Sequence, residues 1–304
     1  MKKTLIALAA VAVSGAAFAQ VTITGAVAWG VQNTVGDQAA RFNLTNADVT
    51  FASSEDLGGG LKAGASATLT FENERSNATT VEAVSASIGG GFGTFAYASV
   101  LSGSAKMSAG VSVEDDMTDA IGAYAAVNVI TYTTPELAPG LTATVELAGA
   151  QGKADTATKN LAGTTVLTSA AFDADGQLKV ATDPTLIVNY KSGPLTVYFD
   201  YPTKAKDWDA RVTYDLGVAK VGYRATSADQ ATLGATTEFT VTAPMGAVNV
   251  GYHYAKSDVG SANGFAVSYA LSKRSAISAS YVNAKKGAAG LDGNNYRVQV
   301  SHSF

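Results

Sequence analysis

The chain contains no cysteine, which excludes a disulfide framework and any thiolate metal centre. Histidine is nearly absent as well. His253 and His302 are the only two and fall on separate alternating segments, so neither a histidine metal cluster nor a serine triad with a paired base assembles. Charged residues make up 15% of the chain, well below the roughly 25% of soluble domains. With 21 Lys+Arg against 25 Asp+Glu, there is no basic footprint for nucleic acid. After residue 19 no run approaches the ~18 apolar residues of a membrane-spanning helix. The run Gly58-Gly59-Gly60 leads into a strand pattern, not a helix, and is therefore no phosphate cradle. No catalytic residue, metal or cofactor is nominated, and enzymatic activity is not expected.

What remains is apolar content without apolar runs, since hydrophobic residues still make up 47% of the chain. Residues 1–19 combine Lys2 and Lys3, an apolar stretch from Leu5 to Val13 and the small-residue site Ala17-Phe18-Ala19. That is the pattern of a cleaved export signal. Its removal changes the formal charge from −4 to −6, and residues 20–304 are expected to form a single domain. Beyond it, hydrophobic residues alternate with polar ones. In 61–72, Leu61, Ala63, Ala65, Ala67, Leu69 and Phe71 oppose Lys62, Gly64, Ser66, Thr68, Thr70 and Glu72. The terminal stretch places Tyr296, Val298, Val300, His302 and Phe304 on one face and Arg297, Gln299, Ser301 and Ser303 on the other, as a strand between lipid and water requires.

Alternation of this kind marks sixteen segments, at about 21–32, 42–54, 61–72, 81–89, 92–99, 126–134, 141–149, 184–192, 195–203, 207–215, 218–226, 232–241, 247–256, 263–271, 275–285 and 294–304. Turn residues such as Ser192-Gly193-Pro194, Asp215-Leu216-Gly217, Ala243-Pro244-Met245-Gly246 and Leu271-Ser272-Lys273-Arg274 follow the even-numbered segments. Longer polar stretches follow the odd ones. The predicted fold is all-β: a transmembrane antiparallel up-and-down barrel of sixteen strands, with short turns and both termini on the periplasmic side. The longest connections are about 100–125 and 150–183; within the second, the run from Val166 to Thr168 is a candidate hairpin. Aromatic residues gather near strand ends, as membrane-interface girdles do. The remaining soluble alternative is a large secreted β-protein.

Sixteen strands enclose a lumen too wide for side chains to fill, so any restriction has to come from an inward loop. By strand parity Glu72, Asp200, Asp209, Arg211, Lys220, Arg224 and Arg297 face the lumen, with Asp48 a further wall candidate. His253 is read as a lumenal polar group and His302 as a periplasmic-interface residue. Three functions compete: a general diffusion channel, a structural or adhesive barrel with little conductance, and a solute-specific channel. The third would carry a regularly spaced row of lumenal arginines or aromatics, which the sequence does not show.

The segment from Ser54 to Gly64, SEDLGGGLKAG, resembles the signature turn of the Gram-negative general porins, especially those of β-proteobacterial type. Gly91-Phe92-Gly93, the stretch from Asn128 to Pro135, the turns from Tyr214 to Lys220 and from Tyr269 to Ser275, and the terminal Phe304 are similar to further motifs of that family, in the same order. The resemblance implies a sixteen-stranded, usually trimeric outer-membrane channel for small ions and hydrophilic solutes, set among outer-membrane lipid and lipopolysaccharide. It also implies a third loop bent into the lumen. By position that loop is about 100–125, so Glu114, Asp115, Asp116 and Asp119 become the candidates for the loop side of the constriction. The family's wall arginines are replaced at the matching positions by Asp48, Ala52, Ala96 and Ser99, which argues against strong anion selectivity and for a weak cation preference.

Overall fold

The computed structural model describes residues 20–33, 39–71, 79–103, 124–148, 158–159, 165–166, 184–204, 206, 208–227, 235–258, 260–285 and 293–304. Their alternation folds into strands β1 (Gln20–Asn33), β2 (Arg41–Gly58), β3 (Leu61–Phe71), β4 (Thr79–Gly90), β5 (Gly93–Gly103), β6 (Tyr124–Thr133) and β7 (Leu141–Ala148). After the short β8 (Thr158–Lys159) and β9 (Thr165–Val166) come β10 (Thr185–Ser192), β11 (Leu195–Pro202), β12 (Asp209–Asp215), β13 (Lys220–Thr226) and β14 (Thr236–Met245). The last four are β15 (Val248–Lys256), β16 (Ser261–Ala270), β17 (Ser275–Lys285) and β18 (Gly293–Ser303). All but β8 and β9 form one closed antiparallel barrel of sixteen strands, in which sequence neighbours are also spatial neighbours and β1 pairs with β18. The expected antiparallel barrel of sixteen strands is the observed one; most of the connection expected to bend into the lumen lies outside the described residues. β8 and β9 pair only with each other, so Val166 does sit in a small hairpin.

The two faces of the wall differ as the alternation predicts. On β16, Phe265 is 57% exposed while its neighbour Ala266 is 8% exposed. Trp29, Phe51, Phe95, Tyr223, Phe239, Tyr269 and Tyr281 are exposed on the same outer face. So large an apolar exterior would be a liability in water; facing hydrocarbon, it is what holds the barrel in a membrane.

Besides β5, which runs on to Gly103 inside the connection expected at about 100–125, two turns depart from the sequence reading. β2 continues through Glu55 and Asp56 to Gly58, with a register shift there, and only Gly59 and Gly60 form the turn. All three glycines have positive φ (80°, 61° and 82°), and a Cβ on any of them would meet nothing within 4 Å. The requirement for glycine is therefore one of backbone conformation, not space. The Gly58 N–H donates to Asp56 Oδ1 at 2.9 Å. The Asp215-Leu216-Gly217 turn repeats the device, with the Gly217 N–H donating to Asp215 Oδ1 at 2.8 Å. The second departure is β14, which runs through Ala243 and Pro244 to Met245, leaving only Gly246 and Ala247 to turn. A proline is tolerated at the very end of a strand, where one missing donor costs little.

Closure depends on the carboxyl terminus. The Gly25 N–H donates to the Phe304 carbonyl at 3.2 Å, and the Phe304 N–H returns a bond to the Gly25 carbonyl at 3.0 Å. A Cβ at Gly25 would run into the Asp48 carbonyl oxygen and lie 2.6 Å from Phe304 Cζ, so the missing side chain makes room for both the neighbouring strand and the terminal ring. Gly25→Val is expected to destabilise closure by about 1–3 kcal/mol through overpacking. The check is the temperature at which heat-resistant electrophoretic mobility is lost. It should fall in the variant, and a Phe304→Ala background should relieve only part of the cost, because the contact with the Asp48 carbonyl remains.

Candidate functional site

The lumenal face carries its most closely packed charges on one side. Across β2 to β7 the inward positions are mostly small or hydroxylic, with Arg41, Asp48, Asp56, Lys62 and Glu146 as the charged exceptions, and several satisfy one another across strands. Thr50 and Thr68 lie 2.8 Å apart, Ser66 and Ser85 2.7 Å, and Thr133 and Thr144 2.8 Å, each a directly opposed pair in the register. Such pairs bring polar surface to the lumen without the desolvation demands of charge.

The charged side spans β11 to β15. Tyr198 stands opposite Arg211, Arg211 opposite Arg224, and Arg224 opposite Glu238. Asp209 lies two residues before Arg211 on the same face of β12, directly opposite Asp200. Two facing carboxylates repel, and the surrounding groups answer that repulsion. The Tyr198 hydroxyl donates to Asp200 Oδ2 at 2.8 Å. Asp209 accepts from both arginines, with Oδ2 at 2.6 Å from Arg211 Nη2 and 2.7 Å from Arg224 Nη2. Arg224 also reaches Glu238 Oε1 through Nη1 at 2.7 Å, and the second Glu238 oxygen lies 3.0 Å from His253 Nε2. The Arg211 guanidinium stacks 4.8 Å from the centroid of the Tyr198 ring, a favourable cation–π placement.

Burial decides what this ladder contributes. Arg224, Glu238 and His253 are 4%, 0% and 1% exposed, so their charges cannot be left to water. Arg224 in particular is held between two carboxylates. Counting His253 as neutral, the cluster sets Asp200, Asp209 and Glu238 against Arg211 and Arg224, a surplus of one negative charge.

Of the sequence-predicted wall residues, Asp200, Asp209, Arg211 and Arg224 come together here. Lys220 lies on the same face but at the turn rim, 3.8 Å from Asp215 Oδ2. Asp48 is inward on β2 and accepts from the Ala26 N–H at 2.9 Å, spending one oxygen on the barrel seam. Arg297 is inward on β18 opposite Ser280 and Gln32, apart from the cluster. Glu72, Glu114, Asp115, Asp116 and Asp119 lie outside the described residues. Ser99, taken as a counterpart of a family wall arginine, shares its face with Tyr97 and pairs with Val84 and Asn128. That is the outward parity, so it is not a wall position.

Sequence reasoning missed Tyr198 and Glu238 and gave His253 no partner. Their inward parity was legible in the alternation. Their convergence was not, because it depends on the register between β11, β12, β13, β14 and β15. The cluster does align an aromatic and two arginines in adjacent strands, but both guanidiniums are engaged by carboxylates. It therefore differs from an open row of cationic sites along which a specific ligand would slide.

A family profile for Gram-negative porins matches residues 4–302. No curated protein matches the chain in sequence. Among solved structures, one substituted variant of the Rhodopseudomonas blastica porin superposes with a TM-score of 0.68 at 13% identity, covering 94% of this chain and 100% of that one. A second variant of the same porin gives 0.68 at 14% identity over the same shares, and a third 0.66 at 13%. At that identity the superpositions establish the fold alone.

Removing the central cation should expose the dependence of the ladder on it. Arg224→Met leaves the buried Glu238 without a guanidinium and Asp209 with Arg211 alone, and is expected to cost about 3–5 kcal/mol, read as a lower thermal unfolding midpoint. Adding Glu238→Gln to Arg224→Met should recover part of that loss, whereas Lys220→Gln, at an exposed pair, should cost no more than ~1 kcal/mol.

Proposed function

The chain belongs to the Gram-negative porin family, and from that membership we propose a weakly cation-preferring general diffusion channel whose wall is nearly charge-balanced and whose ion preference is set by the acidic segment from Glu114 to Asp119. It is an outer-membrane diffusion porin: a closed barrel of sixteen strands encloses an aqueous path for ions and small hydrophilic solutes. The observation that carries the preference is the disposition of charge on the wall. Its Arg211 and Arg224 guanidiniums are paired with Asp209 and Glu238 and Lys220 with Asp215, so that across β7 to β14 the inward cations Lys191, Arg211, Lys220 and Arg224 face the inward acids Glu146, Asp200, Asp209, Asp215 and Glu238. The opposite side is mostly hydroxylic, with Arg41 and Lys62 offset by Asp48 and Asp56. A narrow pore responds to the sign of whatever charge remains, and the remaining charge is acidic.

On this reading residues 1–19 are removed on export, and residues 20–304 act as a single barrel domain. The turn rim and both termini face the periplasm, the loop rim faces outward, and the protein assembles as a trimer, as the family resemblance implies. Passage is passive, with no chemistry performed on the solute. Neither a solute-specific channel nor an adhesive barrel is favoured, since the described wall offers mainly hydroxyls and charges offset by neighbours of opposite sign.

The test is single-channel recording of the purified protein in a planar bilayer under a salt gradient. Ohmic steps with a reversal potential on the cation-selective side are expected. The quadruple variant Glu114→Gln, Asp115→Asn, Asp116→Asn, Asp119→Asn should move that potential towards zero. An unchanged potential would remove those acids from the constriction, and insertion without current would remove the channel itself.

A further inference from the structure

At the turn rim the lumenal wall carries two lysines that stand outside the buried ladder. Lys191 pairs with Thr196 across β10 and β11, and Thr196 pairs with Thr213 across β11 and β12, so one ammonium and two hydroxyls share a single inward row. That row continues to Gly222 on β13, which adds no side chain. Lys220 lies two residues from Gly222 on the same face, nearer the rim and opposite Asp215. With strands about 4.8 Å apart and a rise of about 3.4 Å per residue, the two lysine Cα atoms are roughly 16 Å from each other. Their extended stems lean over the hydroxyls from opposite ends. Lys191, Thr196, Thr213, Asp215 and Lys220 line one open cleft of ≈ 530 Å³, within the size range of small-molecule sites.

The charge in this cleft is available to a ligand. Both lysines are exposed, and Lys191 forms no ion pair among the described residues. Lys220 Nζ is 3.8 Å from Asp215 Oδ2, beyond hydrogen-bond reach. The other oxygen of that carboxylate, Oδ1, already accepts from the Gly217 N–H at 2.8 Å. Two cations against one engaged acid leave the cleft net positive. Each ammonium offers three donors and no acceptor, and each threonine hydroxyl can donate one bond. A donor-rich positive recess fits an oxyanion with several acceptor oxygens, and lysine suits phosphate as a point charge. A bare ion would leave most of the volume to water, at about 30 Å³ per molecule. A phosphate carried on a small polyol fills it better and gives the hydroxyls a second partner.

We propose that Lys191, Thr196, Thr213 and Lys220 form a binding site for small phosphate monoesters at the turn-rim mouth of the lumen. Local charge at this mouth is opposite in sign to the preference proposed for the pore as a whole, because only Asp215 offsets the two lysines within the cleft. The site goes beyond passive diffusion, which needs no binding; it rests on the channel reading only for the path by which solute arrives.

The test titrates the purified protein in detergent, by calorimetry at fixed ionic strength, with three probes: glycerol 3-phosphate, inorganic phosphate and glycerol. Glycerol 3-phosphate should bind, inorganic phosphate should bind several-fold more weakly, and glycerol should give no heat of binding. An exposed lysine contributes up to about five-fold, so K191Q/K220Q should weaken glycerol 3-phosphate roughly twenty-five-fold. K191R/K220R should retain most of the binding, and K256Q, on the outward face of β15, should leave it unchanged. Heat-resistant mobility of each variant shows that the barrel is intact. No binding by the unsubstituted protein, or equal binding by K191Q/K220Q, overturns the proposal. Inorganic phosphate binding as tightly as the ester also overturns it, reassigning the cleft to free anions. Planar-bilayer recording separates this result from the channel reading. Ohmic current from a protein that does not bind the ester removes the site alone, whereas binding lost in K191Q/K220Q without any current in the unsubstituted protein removes the channel and upholds the site.

Discussion

Everything in this protein depends on closing the hydrogen-bond ladder. In hydrocarbon an unpaired backbone N–H or C=O costs several kcal/mol, and an open sheet has two edges of such groups. Pairing β1 with β18 removes both edges. The seam is fastened at its turn-rim end by the reciprocal bonds between Gly25 and Phe304, and the same neighbourhood engages Asp48 through the Ala26 N–H. A residue expected to act on solute is thus partly occupied in holding the wall shut.

Closure imposes the second constraint, because each strand must serve two solvents at once. The pleat assigns alternate residues to them, and from this follow the aromatic exterior and the polar interior. Inside, the wall handles polarity in two ways. Between β2 and β7 hydroxyls pair with hydroxyls. Between β11 and β15 charges are packed so closely that each needs its neighbours. An ion pair at low exposure is seldom a net source of stability, but its geometry fixes where charge resides. Arg224, clamped by Asp209 and Glu238, presents little field of its own to a passing ion. The outer face handles charge by scarcity: among the described strand residues its only lysines or arginines are Lys256 and Lys285.

The strand pattern was legible because period two is a local property that survives without knowledge of partners. Sixteen segments, their parity and the lumenal placement of Asp200, Asp209, Arg211 and Arg224 could all be read from it. Strand ends were less legible. Glu55 to Gly58 looked like a turn because glycine and aspartate signal one, yet a shift in register lets β2 continue through them. Pro244 misled for the same reason. Ser99 was placed on the wall by resemblance, whereas the alternation of β5 puts it outside.

The sequence by itself determined the kind of object: a membrane barrel with a wet interior, because alternation over the whole length is compatible with little else once helices and covalent staples are excluded. Only the tertiary structure decided which inward residues meet. Tyr198, Arg211, Arg224, Glu238 and His253 lie on five different strands, and their contacts exist because cross-strand register sets each opposite or diagonal to the next. The same holds for Lys256 and Lys285, which are twenty-nine positions apart in the chain and become neighbours across Ser261. Parity is written in a single strand, but register belongs to the pair, fixed by turn geometry and by closure of the whole ring.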